Sequence, residues 1–263
     1  MLTVHLCFAV TGGFTGGILS TNNNIVDNLM TAPALLTALE LAEPESRTLA
    51  DRVCREIVTA IIKGDIPPGH KISEPELART YGISRGPLRE AIRRLEGLRL
   101  VVRIPHVGAR VVSLSSRELI EIYHVREAME GMACRLAAEN MSDAEIGSLR
   151  DLLDQHERSL EQTEGRSYFQ KEGDLDFHYR IVQGSKNNKL KELLGGELYH
   201  LVRMYRYQFS LSSSRPVRAL AEHRHIVDAI QHRDGELAEM LMRRHISAAR
   251  QNIEQKLKAQ TEF

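Results

Sequence analysis

Between residues 48 and 112 the apolar positions change their period several times, and each change marks an element. From Thr48 to Lys63 the residues Leu49, Val53, Ile57 and Ile61 recur at every fourth position, which is one face of an α-helix. The run Gly64 to Gly69, with two prolines, ends it. Leu77 and Tyr81 then sit at helical spacing, Gly82 interrupts, and a second periodic run follows through Leu88, Ile92 and Leu95. Two short helices around a tight turn are predicted, the plan of a helix-turn-helix. Ser84 is a natural N-cap for the second, which therefore starts near Arg85 with Pro87 tolerated in its first turn. Leu100 to Ile104 and Ala109 to Val112 are β-rich runs on either side of Pro105 to Gly108, a hairpin or wing.

Past Ser113 the texture is helical throughout. Helices are predicted at about 115–139, from a capping box at Ser142 and Glu145 to about Glu161, and near 167–183, 187–210, 216–232 and 235–257. The fold class that results is mainly α: an N-terminal winged helix-turn-helix (47–112), a linker (113–117), and an all-α bundle of six helices (118–258) large enough to hold a ligand between them.

Residues 1–46 hold no Lys or Arg, two Gly-Gly pairs and an asparagine run at Asn22 to Asn24. A secretory signal would need a positive region ahead of its apolar patch, so the segment is read as a disordered tail, with a start at Met30 as the alternative. The chain has 263 residues, 42% of them hydrophobic, and no apolar run of membrane-spanning length. Its three cysteines, Cys7, Cys54 and Cys134, lie far apart without CxxC spacing, which suits a reducing cytoplasm better than a disulfide framework.

Charge sharpens the first domain. The whole chain is formally neutral, yet from Arg79 to Arg110 eight arginines stand against two acids, Glu90 and Glu96. That basic concentration on a helix-turn-helix is an electrostatic footprint for nucleic acid. Ser84, Arg85 and Arg89 open the second helix, the end that a recognition helix points into the major groove, where arginine reads guanine or neutralises phosphate.

In the bundle, four residues stand out. Asp174 and His178 are four apart and share a helix face. His223 lies in the stripe Leu220, His223, Val227, Ile230, and His245 in the stripe Leu237, Leu241, His245. Each histidine is eleven residues from the break near Asp234, so an antiparallel hairpin places both about 16 Å from the turn, at one level. One carboxylate and three imidazoles converging in an apolar interior make a donor set for a divalent metal, Zn²⁺ first and Ni²⁺ second. Arg126 falls in the stripe Leu119, Ile122, Arg126, Met129, Ala133 and so points a permanent charge inward. Two explanations stay open: a buried pair with Glu130, four residues on, or a fork for an anionic effector beside the metal. Tyr123 and Arg203 are further candidates for that cavity, and His200 and His225 are spares.

The run from Leu49 to Val112, with its segments SEPELA, GISRGPLREAIRRLE and IPHVGARVV, resembles the winged-helix domain of the GntR family of bacterial transcription regulators. The resemblance implies DNA contacts at Ser84, Arg85, Gly86, Pro87 and Arg89, and at His106 and Gly108 in the wing. Two departures are visible: Arg99 stands where the family usually has glycine, and Val107 where it has an arginine. The segments GDLDFHYRIV, ALAEHRHIVDAI and LMRRHI resemble the FCD effector domain of the FadR-type branch, many of whose members bind a divalent metal through Asp, His, His and His. Those positions fall on Asp174, His178, His223 and His245.

The reading is therefore a cytoplasmic, homodimeric transcription regulator on a palindromic operator, modulated by a small organic acid bound at or near the metal. The alternative is an α-helical metalloenzyme, or a metal sensor, on a DNA-binding tether. No HExxH or similar element supports an enzyme, and Glu222, next to His223, is turned by its position to another helix face.

Overall fold

The structure is a computed structural model, and it describes residues 48–162, 164, 176–196, 198–210 and 215–261. The expectations for 1–46 and for Asp174 lie outside those residues. Among the described residues the chain forms ten helices and one two-stranded sheet.

Helix α1 (Leu49–Lys63) opens with a capping box in which Thr48 and Asp51 satisfy each other's backbone N–H groups, and it ends on Gly64 at φ 87°, a left-handed position that suits glycine. Its buried face is Ala50, Val53, Cys54, Ile57, Val58, Ile61 and Ile62, whereas Leu49, expected in the stripe, is 41% exposed. Helix α2 (Glu74–Thr80) is followed by Gly82 at φ 62°, the turn of the helix-turn-helix. Helix α3 (Arg85–Gly97) starts where the proline and cap residues place it and buries Leu88, Ala91, Ile92 and Leu95 against α1. Strands β1 (Val101–Ile104) and β2 (Gly108–Val111) pair antiparallel, with Val101 opposite Val111 and Ile104 opposite Gly108.

The turn after α3 places Arg99 at φ 57°. A glycine would sit there without steric cost, so the departure from the family pattern leaves a side chain in a left-handed conformation that L-residues disfavour.

The bundle begins with α4 (Ser116–Asn140), opened by a second capping box, Ser115 with Glu118. The expected box at Ser142 and Glu145 is present at the start of α5 (Asp143–Gln162), with Ser142 N–H donating to Glu145 Oε2 at 2.8 Å. Then come α6 (Phe177–Gly184), α7 (Asn188–Gly195), α8 (Tyr199–Ser210), α9 (Arg215–Gln231) and α10 (Gly235–Thr261). The span 187–210, expected as one helix, is two, because Gly195 and Gly196 fall together and the chain bends there. The described bundle therefore has seven helices rather than six.

Helices α4 and α10 form its most extensive pairing, and they approach closely at Gly131, where a Cβ would meet Arg243 Cγ at 2.7 Å. Hydrogen bonds tie α8 to the N-terminal domain and to the linker that follows it. Leu114 N–H, in the connection between β2 and α4, donates to Tyr205 Oη at 2.8 Å, and Gln208 Nε2 donates to the Ile61 carbonyl at 3.3 Å.

Candidate metal centre and nucleic-acid interface

Helices α6, α9 and α10 bring His178, His223 and His245 together, each at least 94% buried. Their donor nitrogens lie within 4.8 Å of one another, and His223 Nε2 stands 3.2 Å from His245 Nε2. The equal count of residues on either side of the α9–α10 turn accounts for that meeting. The Phe177 ring stacks on His223 with centroids 4.0 Å apart, which fixes the plane of the imidazole.

Carboxylates behind the ring assembly orient two of the three histidines. Glu130 Oε2 faces His178 Nδ1 at 2.6 Å, and Glu222 Oε2 faces His245 Nδ1 at 2.6 Å. An ionised carboxylate only accepts, so each Nδ1 carries the proton and each Nε2 presents a lone pair to the centre. His178 Nε2 is then a buried acceptor with no hydrogen-bond partner.

Burial would raise the Glu130 carboxyl, but Arg126 and His178 outweigh it and hold it far below the usual range. Burial pushes all three imidazoles down, His245 to about 3 and His223 well below its ordinary value, with His178 also lowered despite Glu130. Neutral imidazoles are the form that binds a metal. With Zn–N bonds of about 2.0–2.1 Å, neighbouring ligand nitrogens of a tetrahedral site stand roughly 3.3–3.4 Å apart, and the His223 to His245 separation of 3.2 Å is close to that. On the chemistry of the donor set and the orphaned His178 nitrogen, these residues fit a divalent cation.

Of the two explanations open for Arg126, the structure shows the first. Its Nε donates to Glu130 Oε1 at 2.7 Å, so the buried pair exists. Its Nη2 is bonded to no acceptor, and Tyr123 Oη meets no partner other than the Arg126 guanidinium, which lies 4.7 Å from the ring centroid; both residues line, with the three histidines, one cavity. A guanidinium, a phenol and an acceptor nitrogen therefore belong to residues that border one space. Arg203 lines a neighbouring cavity beside Asp176, which Arg126 and His178 also border. In its place the structure brings Arg206 and Arg215 to the cavity wall, neither of which was singled out in the sequence.

Arg206 is ion-paired with Asp176, the buried N-cap of α6. Burial would raise that carboxyl too, but Arg206 and His178 keep it lowered. Arg215 grips both Glu222 oxygens at 2.7 Å and donates to the His245 carbonyl at 3.0 Å. Glu222 is off the face that His223 occupies, as its position dictates, yet it reaches His245 from behind. Its partners could be found only once α10 was in place. Of the spare histidines, His225 is exposed, and His200 is buried outside the triad with neither ring nitrogen bonded.

In the N-terminal domain the expected DNA-reading residues lie on one exposed rim. Ser84, Arg85, Gly86 and Arg89 are exposed and Pro87 is half-buried. Ser84 holds the N-cap position but its hydroxyl makes no capping bond. Around Gly86 an added Cβ would meet nothing within 4 Å, so the fold itself does not demand a glycine there. His106 at φ 62° and Gly108 at φ 101° form the wing turn, with Val107 40% exposed at its tip. The basic excess is partly spent inside the domain: Arg89 Nε donates to Glu74 at 2.9 Å, and Arg94 pairs with Asp51.

Residues 49–111 match the bacterial regulatory proteins of the gntR family, and residues 121–248 match the FCD domain. Over 207 residues the chain is 35% identical to a Paenarthrobacter nicotinovorans protein named "Probable D-xylose utilization operon transcriptional repressor", covering 76% of this chain and 87% of that one. The chain belongs to the GntR family of transcription regulators. It is also 30% identical over 199 residues to the HTH-type transcriptional repressor GlaR of Escherichia coli K12, covering 71% of this chain and 87% of the relative. Among solved structures, E. coli McbR/YncC superposes with a TM-score of 0.63 at 19% identity over 80% of this chain and 99% of that one. A GntR regulator from Rhodococcus sp. RHA1 gives 0.61 at 23% over 78% and 96%. Both share the fold. The family and these relatives are regulators rather than enzymes, which removes the metalloenzyme alternative. Among the described residues no helix is long and apolar enough to cross a membrane.

Proposed function

We propose that this GntR regulator binds a palindromic operator as a cytoplasmic homodimer and that a small carboxylate effector, seated against a divalent metal in the bundle, changes its operator affinity. His178, His223 and His245 hold the metal, with Asp174 as the fourth protein ligand; Zn²⁺ suits the nitrogen-rich set best and Ni²⁺ next. When bound, the cation supplies a Lewis-acidic anchor for a carboxylate oxygen. Arg126 Nη2 and Tyr123 Oη take the other oxygen, with Arg126 held in place by Glu130. The observation that carries the reading is that Arg126, Tyr123 and His178 border one cavity, with Arg126 Nη2 and His178 Nε2 buried and lacking a hydrogen-bond partner and Tyr123 Oη meeting only that guanidinium. Such groups are costly to leave unpaired, and an anion with a cation satisfies all three.

At the other end, Ser84, Arg85, Gly86, Pro87 and Arg89 meet the major groove and His106 and Gly108 the wing contact. The domain linker is too short to be the whole connection. Helix α8 puts Arg206 at the cavity wall, and two and one residues away along the helix Gln208 and Tyr205 touch α1 and the linker. A shift of α8 on effector binding re-aims the reader and alters half-site spacing in the dimer.

The test is to titrate labelled operator with and without an organic acid, for the wild type and for a His223→Ala, His245→Ala variant. The variant should lose its metal by elemental analysis and lose the effector-dependent shift while keeping DNA affinity. A metal-free variant that retains the full shift refutes the coupling.

A further inference from the structure

The cavity beside the histidines is polarised along its length, and that asymmetry bears on which acid it takes. Its polar end is made by the His triad, Arg126 and Tyr123. Its other end follows α10 from His245 through Ile246 and Ala249 to Ile253, faced by Phe209 of α8 and by Pro216 and Ala219 of α9. Eight residues of α10 separate His245 from Ile253, so the apolar wall continues for about 12 Å beyond the metal-ligand level at the helical rise.

The polar side chains along that stretch are already engaged. Arg215 is held by Glu222 and the His245 carbonyl, Arg206 by Asp176, and Asn252 Nδ2 by the Phe209 carbonyl. A second carboxylate carried to that end would shed its water against Ile253, Pro216 and Phe209, where the two nearby cations, Arg206 and Arg215, are already neutralised by Asp176 and Glu222. A hydrocarbon body meets the opposite situation, since every methylene laid along the wall leaves water.

We infer that the effector is a monocarboxylate with an apolar aliphatic or aryl body, its head at the histidines and Arg126 and its body along the Ile246–Ile253 face. The inference rests on the carboxylate-effector reading above and narrows it, against the di- and tricarboxylates that the charged end alone would admit. The cavity wall, rather than the donor set, carries the selectivity.

The experiment is a calorimetric or thermal-shift series on the zinc-loaded full chain with acetate, butyrate, hexanoate, benzoate, succinate and citrate. Affinity should rise roughly three- to fourfold for each methylene between acetate and hexanoate, benzoate should bind with hexanoate, and succinate should bind no better than butyrate. Succinate or citrate binding more tightly than hexanoate overturns the inference while leaving the carboxylate reading intact. No binding by any acid removes that reading and the inference with it.

A second arm uses Ala249→Phe, which fills the apolar half. It should cut hexanoate and benzoate binding at least tenfold and acetate binding far less, with elemental analysis checking that the zinc is retained. Hexanoate binding that survives the substitution at full strength also overturns the inference.

Discussion

Arginine does opposite work in the two domains. In the winged helix Arg85, Arg89 and Arg93 lie exposed along one side of α3, while the opposite side is an apolar face of Leu88, Ala91, Ile92 and Leu95. In the bundle Arg126, Arg203 and Arg215 are each at least 95% buried, inside the core itself. The winged helix separates stability from function on the reading proposed above, because its core holds the fold and its exposed rim is the proposed DNA contact. The bundle merges them: the residues that face the cavity are also the ones that satisfy one another's charges in the interior. The same kind of substitution should therefore have different consequences on the two sides.

Glu130→Ala is the sharpest way to break that contrast and should have the largest effect. It removes the acceptor of both Arg126 Nε and His178 Nδ1, leaving a guanidinium buried without its counter-charge. Losing one partner of a buried pair costs about 3–5 kcal/mol. Urea denaturation of the full chain measures it, and a loss under about 1 kcal/mol would mean that the pair is not a structural unit.

On the exposed side, Arg85→Ala and Arg89→Ala should each weaken specific operator binding by roughly 1–3 kcal/mol and move unfolding by no more than about 0.5 kcal/mol. Titration of labelled operator beside denaturation of the same samples tests both halves. Gly86→Ala should take the separation further. With open space where the Cβ falls, alanine should stabilise α3 by about 0.5–1 kcal/mol while crowding the DNA that approaches the helix there. A variant that binds operator as well as the wild type would show that nothing comes close to this position.

What could be read in advance follows the range of each interaction. The helix-turn-helix and the wing were legible because their signals are local: a period of apolar residues, a glycine at the turn, a cap at Ser84. The meeting of His223 and His245 was legible because one turn joins their helices and residue counting sets the level. The Arg126–Glu130 pair was one of two readings because it lies within a single helical face. Glu222 and Arg215 were not legible, since their common partner His245 comes from another helix passing on their side. Arg206 was hidden for the same reason: its importance depends on Asp176 across the bundle. The exposed positions of Leu49 and Leu237 likewise show that a stripe drawn from sequence overshoots at helix ends, where no neighbour covers it.

The smallest expected effect lies at the joint between α3 and the wing. Arg99 holds a left-handed backbone conformation at φ 57° in the turn that delivers the chain from the reader helix to β1. Backbone N–H of Arg99 donates to the Glu96 carbonyl at 3.1 Å and Leu100 N–H to the Leu95 carbonyl at 3.1 Å, so the turn is fixed by the helix end and cannot relax to suit the residue. Arg99→Gly removes a steric cost of about 1–2 kcal/mol and adds an entropic one of about 0.5–1 kcal/mol for the freer unfolded chain. The difference should be a net gain of about 0–1.5 kcal/mol, read as a higher urea midpoint with an unchanged slope. Operator affinity should hold or fall slightly, since the substitution also removes one positive charge from the DNA-facing domain. A stability loss on Arg99→Gly would mean that the arginine's side chain contributes more to this joint than its backbone strain takes away.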